Sequence, residues 1–159
     1  MKITIIAIGK LKEQYLKDAI AEYSKRLQKF ATLEIIEVPD EKTDINASKA
    51  DVEKAKDKEG AKMLSYIKDD AYVFALEIKG KIFSSEELSE QIGKRMLEGN
   101  SHLVFLIGGS LGLSSKVLAR ADLKISFSNM TFPHMLMRVI LLEQVYRSYK
   151  ILNNEPYHK

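Results

Sequence analysis

No cysteine occurs among the 159 residues. That excludes a disulfide framework and any thiolate chemistry, catalytic or metal-binding. Long apolar runs are missing as well: no stretch of 18 consecutive apolar residues occurs, so no membrane-crossing helix is expected. Met1 to Ile6 enters an alternating strand without the basic start, longer apolar core or small-residue cleavage site of a secretory leader, and a cytoplasmic location is expected. The three histidines, His102, His134 and His158, share no spacing that would build a metal site, so no metal is expected. Neither GxGxxG nor GxxxxGK[ST] is present, which counts against a dinucleotide-binding oxidoreductase or a kinase-like enzyme. No Ser-His-Asp arrangement emerges either.

What is present has the balance of a soluble globular protein, 45% apolar and 30% charged residues, at a length that suits one domain over residues 1–159. The formal net charge is +3, compatible with a nucleic-acid partner without requiring one.

Strand patterns alternate with helical ones along the chain. Strands are expected at Lys2 to Ile8, Leu33 to Val38, Ala71 to Ile78, His102 to Ile107 and Leu123 to Phe127. Helices are expected over Leu11 to Phe30, from Ser84 to about Glu98, around Ser114 to Ala121, and from Pro133 onward. Glu41 to Gly60 reads as a charged loop feeding a helix that runs to about Ile67, and Lys79-Gly80-Lys81 reads as a turn. The alternation predicts an α/β fold with a mostly parallel central sheet flanked by helices. The near-continuous apolar runs Tyr72 to Leu76 and Leu103 to Ile107 suit strands covered on both faces. In open sheets of this kind ligands bind beyond the carboxyl ends of strands. Leu76-Glu77, Gly108-Gly109 and Phe127 to Phe132 stand at three such ends.

Each candidate has a structural alternative. Gly108-Gly109-Ser110-Leu111-Gly112 lets the backbone turn sharply and approach a ligand, or is simply a tight strand-to-helix turn. Ser126, Ser128, Asn129 and Thr131 offer hydrogen bonds to a purine or ribose, or satisfy their own backbone. Pro133 suits a first helical position, and Phe132 before it is a poor cap, so the first N–H groups lack an obvious partner. His134 reads as a base, an RNA contact or a structural hydrogen-bonder. Arg138, alone among apolar neighbours, suggests a buried ion pair or a phosphate contact, and Glu143 with Arg147 have the spacing of a helical ion pair. The tail Tyr157-His158-Lys159 is either a frayed end or a set able to stack on a base, move a proton and hold a phosphate. On the last helix, Met135, Leu136, Met137, Val139, Ile140, Leu141, Leu142, Val145 and Tyr146 cover nearly the whole circumference. A helix apolar all round needs burial on two sides, and a two-fold dimer along it is the simplest solution.

Three segments together resemble one family. They are Leu103 to Ser110 with Gly112; Ser126 to His134 with Arg138 and Glu143-Gln144-x-Tyr146-Arg147; and Pro156-Tyr157-His158-Lys159. With Met1 to Lys10 and Glu59-Gly60, they closely resemble the ribosomal RNA large subunit methyltransferase H family of small SPOUT-class enzymes, over essentially the full length. The resemblance implies a C-terminal trefoil knot, a homodimer and S-adenosyl-L-methionine as methyl donor. It further implies methylation at N3 of a pseudouridine in 23S rRNA, within the large subunit or the 70S ribosome. Carried over by position, the cofactor contacts are Leu76, Gly108, Phe127, Ser128, Asn129, Met130, Thr131 and Phe132. The catalytic candidates are Tyr157 and His158 of the tail, supported by Arg138 or His134. This chain ends on Lys159 where many relatives carry arginine, and a lysine lacks the bidentate phosphate fork of a guanidinium. The competing reading within the same resemblance is a ribosome-binding factor without turnover.

Overall fold

A computed structural model describes residues 1–158 of the chain; the terminal Lys159 lies outside the described residues. Five strands, β1 (Lys2–Ile8), β2 (Thr32–Val38), β3 (Tyr72–Ile82), β4 (His102–Ile107) and β5 (Leu123–Ser126), form one sheet in the order β2-β1-β4-β3-β5. Every neighbouring pair is parallel. Five helices connect and follow them: α1 (Gln14–Leu27), α2 (Lys49–Ser65), α3 (Ser85–Leu97), α4 (Ser115–Arg120) and α5 (His134–Leu152).

The side-chain period of two sorts each central strand onto both faces. Ile3, Ile5, Phe74, Leu103 and Phe105 join Leu27 of α1, Leu88 and Ile92 of α3, and Leu141, Leu142 and Val145 of α5 on one face. Ile6, Ile8, Val73, Ala75, Val104 and Leu106 meet Met63 of α2 and Val117 of α4 on the other. The layers are therefore helix, sheet, helix, and the continuous apolar runs mark doubly covered strands as expected. Phe74 and Phe105 stack at 4.7 Å between ring centroids at the centre of the first face. Truncating either to alanine would cost about 3–5 kcal/mol by the usual scale for buried aromatics.

Three segments differ from the sequence-based expectation. The charged stretch beginning at Glu41 becomes helical at Lys49, well before Gly60. Ser48 caps it by accepting from the Asp51 N–H, and its first two turns are built from charged residues and good helix formers with few apolar marks, so the stripe that signals a helix is absent there. Lys79-Gly80-Lys81 is not a turn: β3 continues to Ile82, and both Leu76 and Lys81 pair with Ile125 across a register shift. Gly80 permits this contact, since a Cβ there would stand 2.8 Å from the Ile125 backbone. Pro133 is the N-cap of α5 rather than its first helical residue, with ψ of 130°, and it offers no side-chain cap. α3 starts as its sequence promised: Ser84 Oγ accepts from the Glu87 N–H while Glu87 Oε2 accepts from the Ser84 N–H.

Candidate functional site

The carboxyl ends of β4 and β5, the stretch of β3 just beyond its pairing with β4 and the first turn of α5 enclose a cavity of about 420 Å³. Leu76 and Glu77 come from β3, Ile107 and Gly108 from β4, and Ile125 and Ser126 from β5. The glycine turn after β4 closes one side. Gly109 and Gly112 bridge each other there, and Gly112 takes a φ of +80°. A Cβ on Gly108 would lie 2.9 Å from the Gly112 carbonyl carbon, so this turn closes only without a side chain at that position.

Of the residues predicted to hold a cofactor, Leu76, Gly108, Phe127, Ser128, Met130, Thr131 and Phe132 line the cavity and Asn129 does not. The loop hydroxyls also serve their own backbone: Ser126 Oγ donates to the Ser128 carbonyl at 3.0 Å, and Ser128 Oγ accepts from the Met130 N–H at 3.0 Å. The self-satisfying reading therefore holds for Ser126 and Ser128, whose internal bonds shape the wall the loop presents. Leu113, Ile78 and Met137 belong to the wall and were not singled out from the sequence. Met137, three residues beyond His134, shares its side of the helix, and that spacing is the signal that could have found it.

The wall is mostly apolar, with the hydroxyls of Ser110, Ser126, Ser128 and Thr131, Glu77 as its one carboxylate and no lysine or arginine among the described residues. Such a lining suits adenosine and a thioether-like arm and gives a polyphosphate nothing to pair with. The residues present thus fit S-adenosylmethionine.

The four catalytic candidates separate. His134 lines this cavity. Burial, and then the neighbouring Arg138 cation, hold its imidazolium pKa below the ordinary 6.5, against a smaller opposing pull from Asp40. Arg138 is 2% exposed and faces away from the cavity wall. Its Nη1 donates to Glu37 Oε2 at 2.6 Å, and its Nη2 donates to the carbonyls of Ile8 and Gly9 at 3.0 and 2.6 Å.

Tyr157 and His158 sit elsewhere. Tyr157 donates its hydroxyl to Glu143 Oε1 at 3.1 Å, and Arg147 pairs with the same oxygen at 2.5 Å. His158 places Nδ1 3.1 Å from Arg147 Nη1 and Nε2 2.7 Å from Glu86 Oε1. Tyr157 and His158 are docked, not frayed. Burial and the Glu143 hydrogen bond push the Tyr157 phenol up to about 12, so it remains a donor at neutral pH. Arg147 lies thirteen residues after His134 on α5, roughly 20 Å along the axis. Tyr157 and His158 therefore stay off the cavity.

No group of three or more His, Asp or Glu side chains that could hold a metal occurs among the described residues. No helix there is long and apolar enough to cross a membrane.

The family described as predicted SPOUT methyltransferase matches residues 1–158. Proteins named ribosomal RNA large subunit methyltransferase H are 60% identical in Clostridium novyi, 59% in Clostridium acetobutylicum and 57% in Clostridium kluyveri, each over the whole of both chains. Among solved structures, a putative methyltransferase of Legionella pneumophila in complex with its bound cofactor S-adenosylmethionine superposes with a TM-score of 0.51 at 10% identity, over 94% of this chain and 66% of that one. A probable methylase family protein of Haemophilus influenzae superposes with a TM-score of 0.53 at 10% identity, over 99% of this chain and 70% of that one. At that identity the two structures speak for the fold alone. The chain belongs to the SPOUT methyltransferase family, and within it to ribosomal RNA large subunit methyltransferase H, which makes it an S-adenosylmethionine-dependent methyltransferase.

Proposed function

We propose that the chain methylates N3 of a pseudouridine in 23S rRNA, as a homodimer acting in the cytoplasm on the large subunit or the assembled 70S ribosome. The cavity beside β3, β4 and β5 is the observation that carries the reading, because its mostly apolar lining suits an adenosine-bearing methyl donor. S-adenosylmethionine supplies an electrophilic methyl on a sulfonium, so neither metal nor covalent enzyme intermediate is required. The chain's own work is to hold the donor, align the acceptor nitrogen with the methyl and accept the imide proton.

Leu76, Gly108 and the loop Phe127 to Phe132 hold the donor, Asn129 alone among them standing off the wall. His134, half-buried with a lowered pKa, is neutral at physiological pH and can take up a proton beside the cavity. His158 is the second candidate for that role. Both of its ring nitrogens are engaged, and it lies near the far end of α5 from the protomer's own donor cavity.

A two-fold dimer resolves this separation. α5 packs its buried side, Leu141, Leu142, Val145 and Tyr149, onto its own sheet and leaves Leu136, Val139 and Ile140 only half-covered. Two copies joined antiparallel along that face would set the tail of each near the donor cavity of the other. Tyr157 and His158 then act with His134 at one composite site. Recognition of RNA falls to the dimer's own surface, which the net charge of +3 favours.

Calorimetry with S-adenosylmethionine, paired with transfer of labelled methyl to 70S ribosomes, tests the reading. Donor binding with transfer supports it. Donor binding without transfer to any ribosomal particle points to a binding factor, and no donor binding at all rejects the site.

A further inference from the structure

Beside the donor cavity lies a second cavity of about 270 Å³, between the β1–α1 turn and the start of α5. The two share Gly109, Ser110 and His134, so one imidazole stands on the wall of both. The new wall carries the cations the first one lacks, Lys10 and Lys12, together with Glu13 and Asp40. Neither lysine forms an ion pair among the described residues, and both side chains belong to exposed residues.

The turn that carries them is fixed at both ends. Gly9, at a φ of +97°, donates its N–H to the Val38 carbonyl at 2.7 Å, and its own carbonyl receives Arg138. Leu11, buried between the two lysines, donates its N–H to Glu37 Oε2 at 2.7 Å. A Cβ on Gly9 would press on the Met135 methyl at 3.0 Å, so turn and helix are in close contact. Lys10 and Lys12 thus extend from a rigid base, which lowers the entropy lost on gripping a ligand.

We propose that this second cavity seats the acceptor nucleotide of the RNA, with Lys10 and Lys12 holding strand phosphates beside it. The inference rests on the RNA methyltransferase reading above. Two cations beside two carboxylates and a hydroxyl suit a nucleotide better than a bare anion: the lysines take phosphate, and Asp40, Glu13 and Ser110 can accept from ribose or base donors. Placed there, the base reaches the shared wall at Ser110 and His134. In the transfer the donor's S–methyl bond would break as the N3–methyl bond forms, leaving a neutral thioether, and the acceptor N3–H bond would give up its proton. The proton passes to the imidazole.

The test uses the full-length dimer and 70S ribosomes at several potassium chloride concentrations, with K10A/K12A and K10R/K12R variants. The expected result for K10A/K12A is a KM about tenfold higher, kcat within about twofold of wild type, an unchanged donor Kd by calorimetry, and weaker co-sedimentation with ribosomes. The log–log salt slope should become shallower by about 1.4, the value for two phosphate contacts on a single strand. K10R/K12R should restore KM and slope. A KM and salt slope equal to wild type in K10A/K12A would overturn the proposal, as would a loss confined to donor affinity. Wild-type enzyme that binds donor but methylates no ribosomal particle would instead bring down the RNA reading, and this proposal with it.

Discussion

Arg138 and Glu37, 101 positions apart in the chain, meet at 2.6 Å, and together they fasten the first loop to the last helix. The guanidinium takes the Ile8 and Gly9 carbonyls while the carboxylate takes the Leu11 N–H. Burial raises the Glu37 pKa, but the Leu11 N–H and the Arg138 cation outweigh it and leave the group below its ordinary value. Arg138 therefore positions the walls of two cavities without touching either. R138M should lower stability by about 2–3 kcal/mol in urea unfolding, since it leaves the buried Ile8 and Gly9 carbonyls without their donor. E37Q keeps an acceptor and should cost under about 1 kcal/mol. A lowered carboxylate pKa contributes stability that is complete above the ordinary value near 4.5 and fades as pH falls through the folded value. The gap between wild type and E37Q should accordingly narrow below pH 4.5.

G108A should raise the donor Kd by about tenfold or more in calorimetry. The added methyl would stand against the Gly112 backbone and force the turn outward into the donor cavity. An unchanged Kd would mean that the turn does not form the donor site.

The His134 imidazole, with its pKa held below 6.5 by burial and Arg138, predicts an acid limb in kcat whose midpoint lies below 6.5 and a plateau through neutral pH. H134Q should lower kcat by about 100-fold and remove that limb, while the donor Kd changes little. Survival of the limb in H134Q would move the proton-accepting role to His158.

A chain truncated before Pro156 loses Tyr157 and His158 but keeps every residue of the donor cavity. It should bind S-adenosylmethionine as the full chain does and transfer methyl at least about 100-fold more slowly. Full-rate transfer would exonerate the tail.

Glu59 is 4% exposed, accepts from the Glu41 N–H through Oε2, and leaves Oε1 buried without a partner among the described residues. Burial, helped by Asp40 and Glu41, raises its pKa. A raised carboxylate pKa means stability falls as pH rises from about 4.5 through the folded value. E59Q should therefore melt above wild type at pH 7, by about 2–4 °C for a gain of about 1 kcal/mol, and the difference should vanish at pH 4. The measurement is calorimetric melting at the two pH values.

Much of this was legible in local pattern. Strand runs such as Leu103 to Ile107 declared their two covered faces, Ser84 with Glu87 declared a helix start, and the meeting of the Leu76, Gly108 and Phe127 to Phe132 segments at one cavity followed from the rule for parallel sheets. Helix α2 was obscured because its early turns carry charge instead of an apolar stripe. The extension of β3 through Gly80 was obscured because a glycine in close contact with another strand looks, in sequence, like a glycine in a turn. The partners of Arg138 were invisible for a different reason: they are set by long-range packing between a loop and a helix that no periodicity links. A knot, likewise, is a property of the chain's path and leaves no local mark.

The most direct test of the account is transfer of labelled methyl from S-adenosylmethionine to 70S ribosomes from cells lacking this enzyme, followed by nucleoside analysis of the product. The account predicts about one methyl per ribosome, recovered from 23S rRNA as N3-methylpseudouridine. Label on another nucleoside, on protein, or on no ribosomal component despite measured donor binding would contradict it.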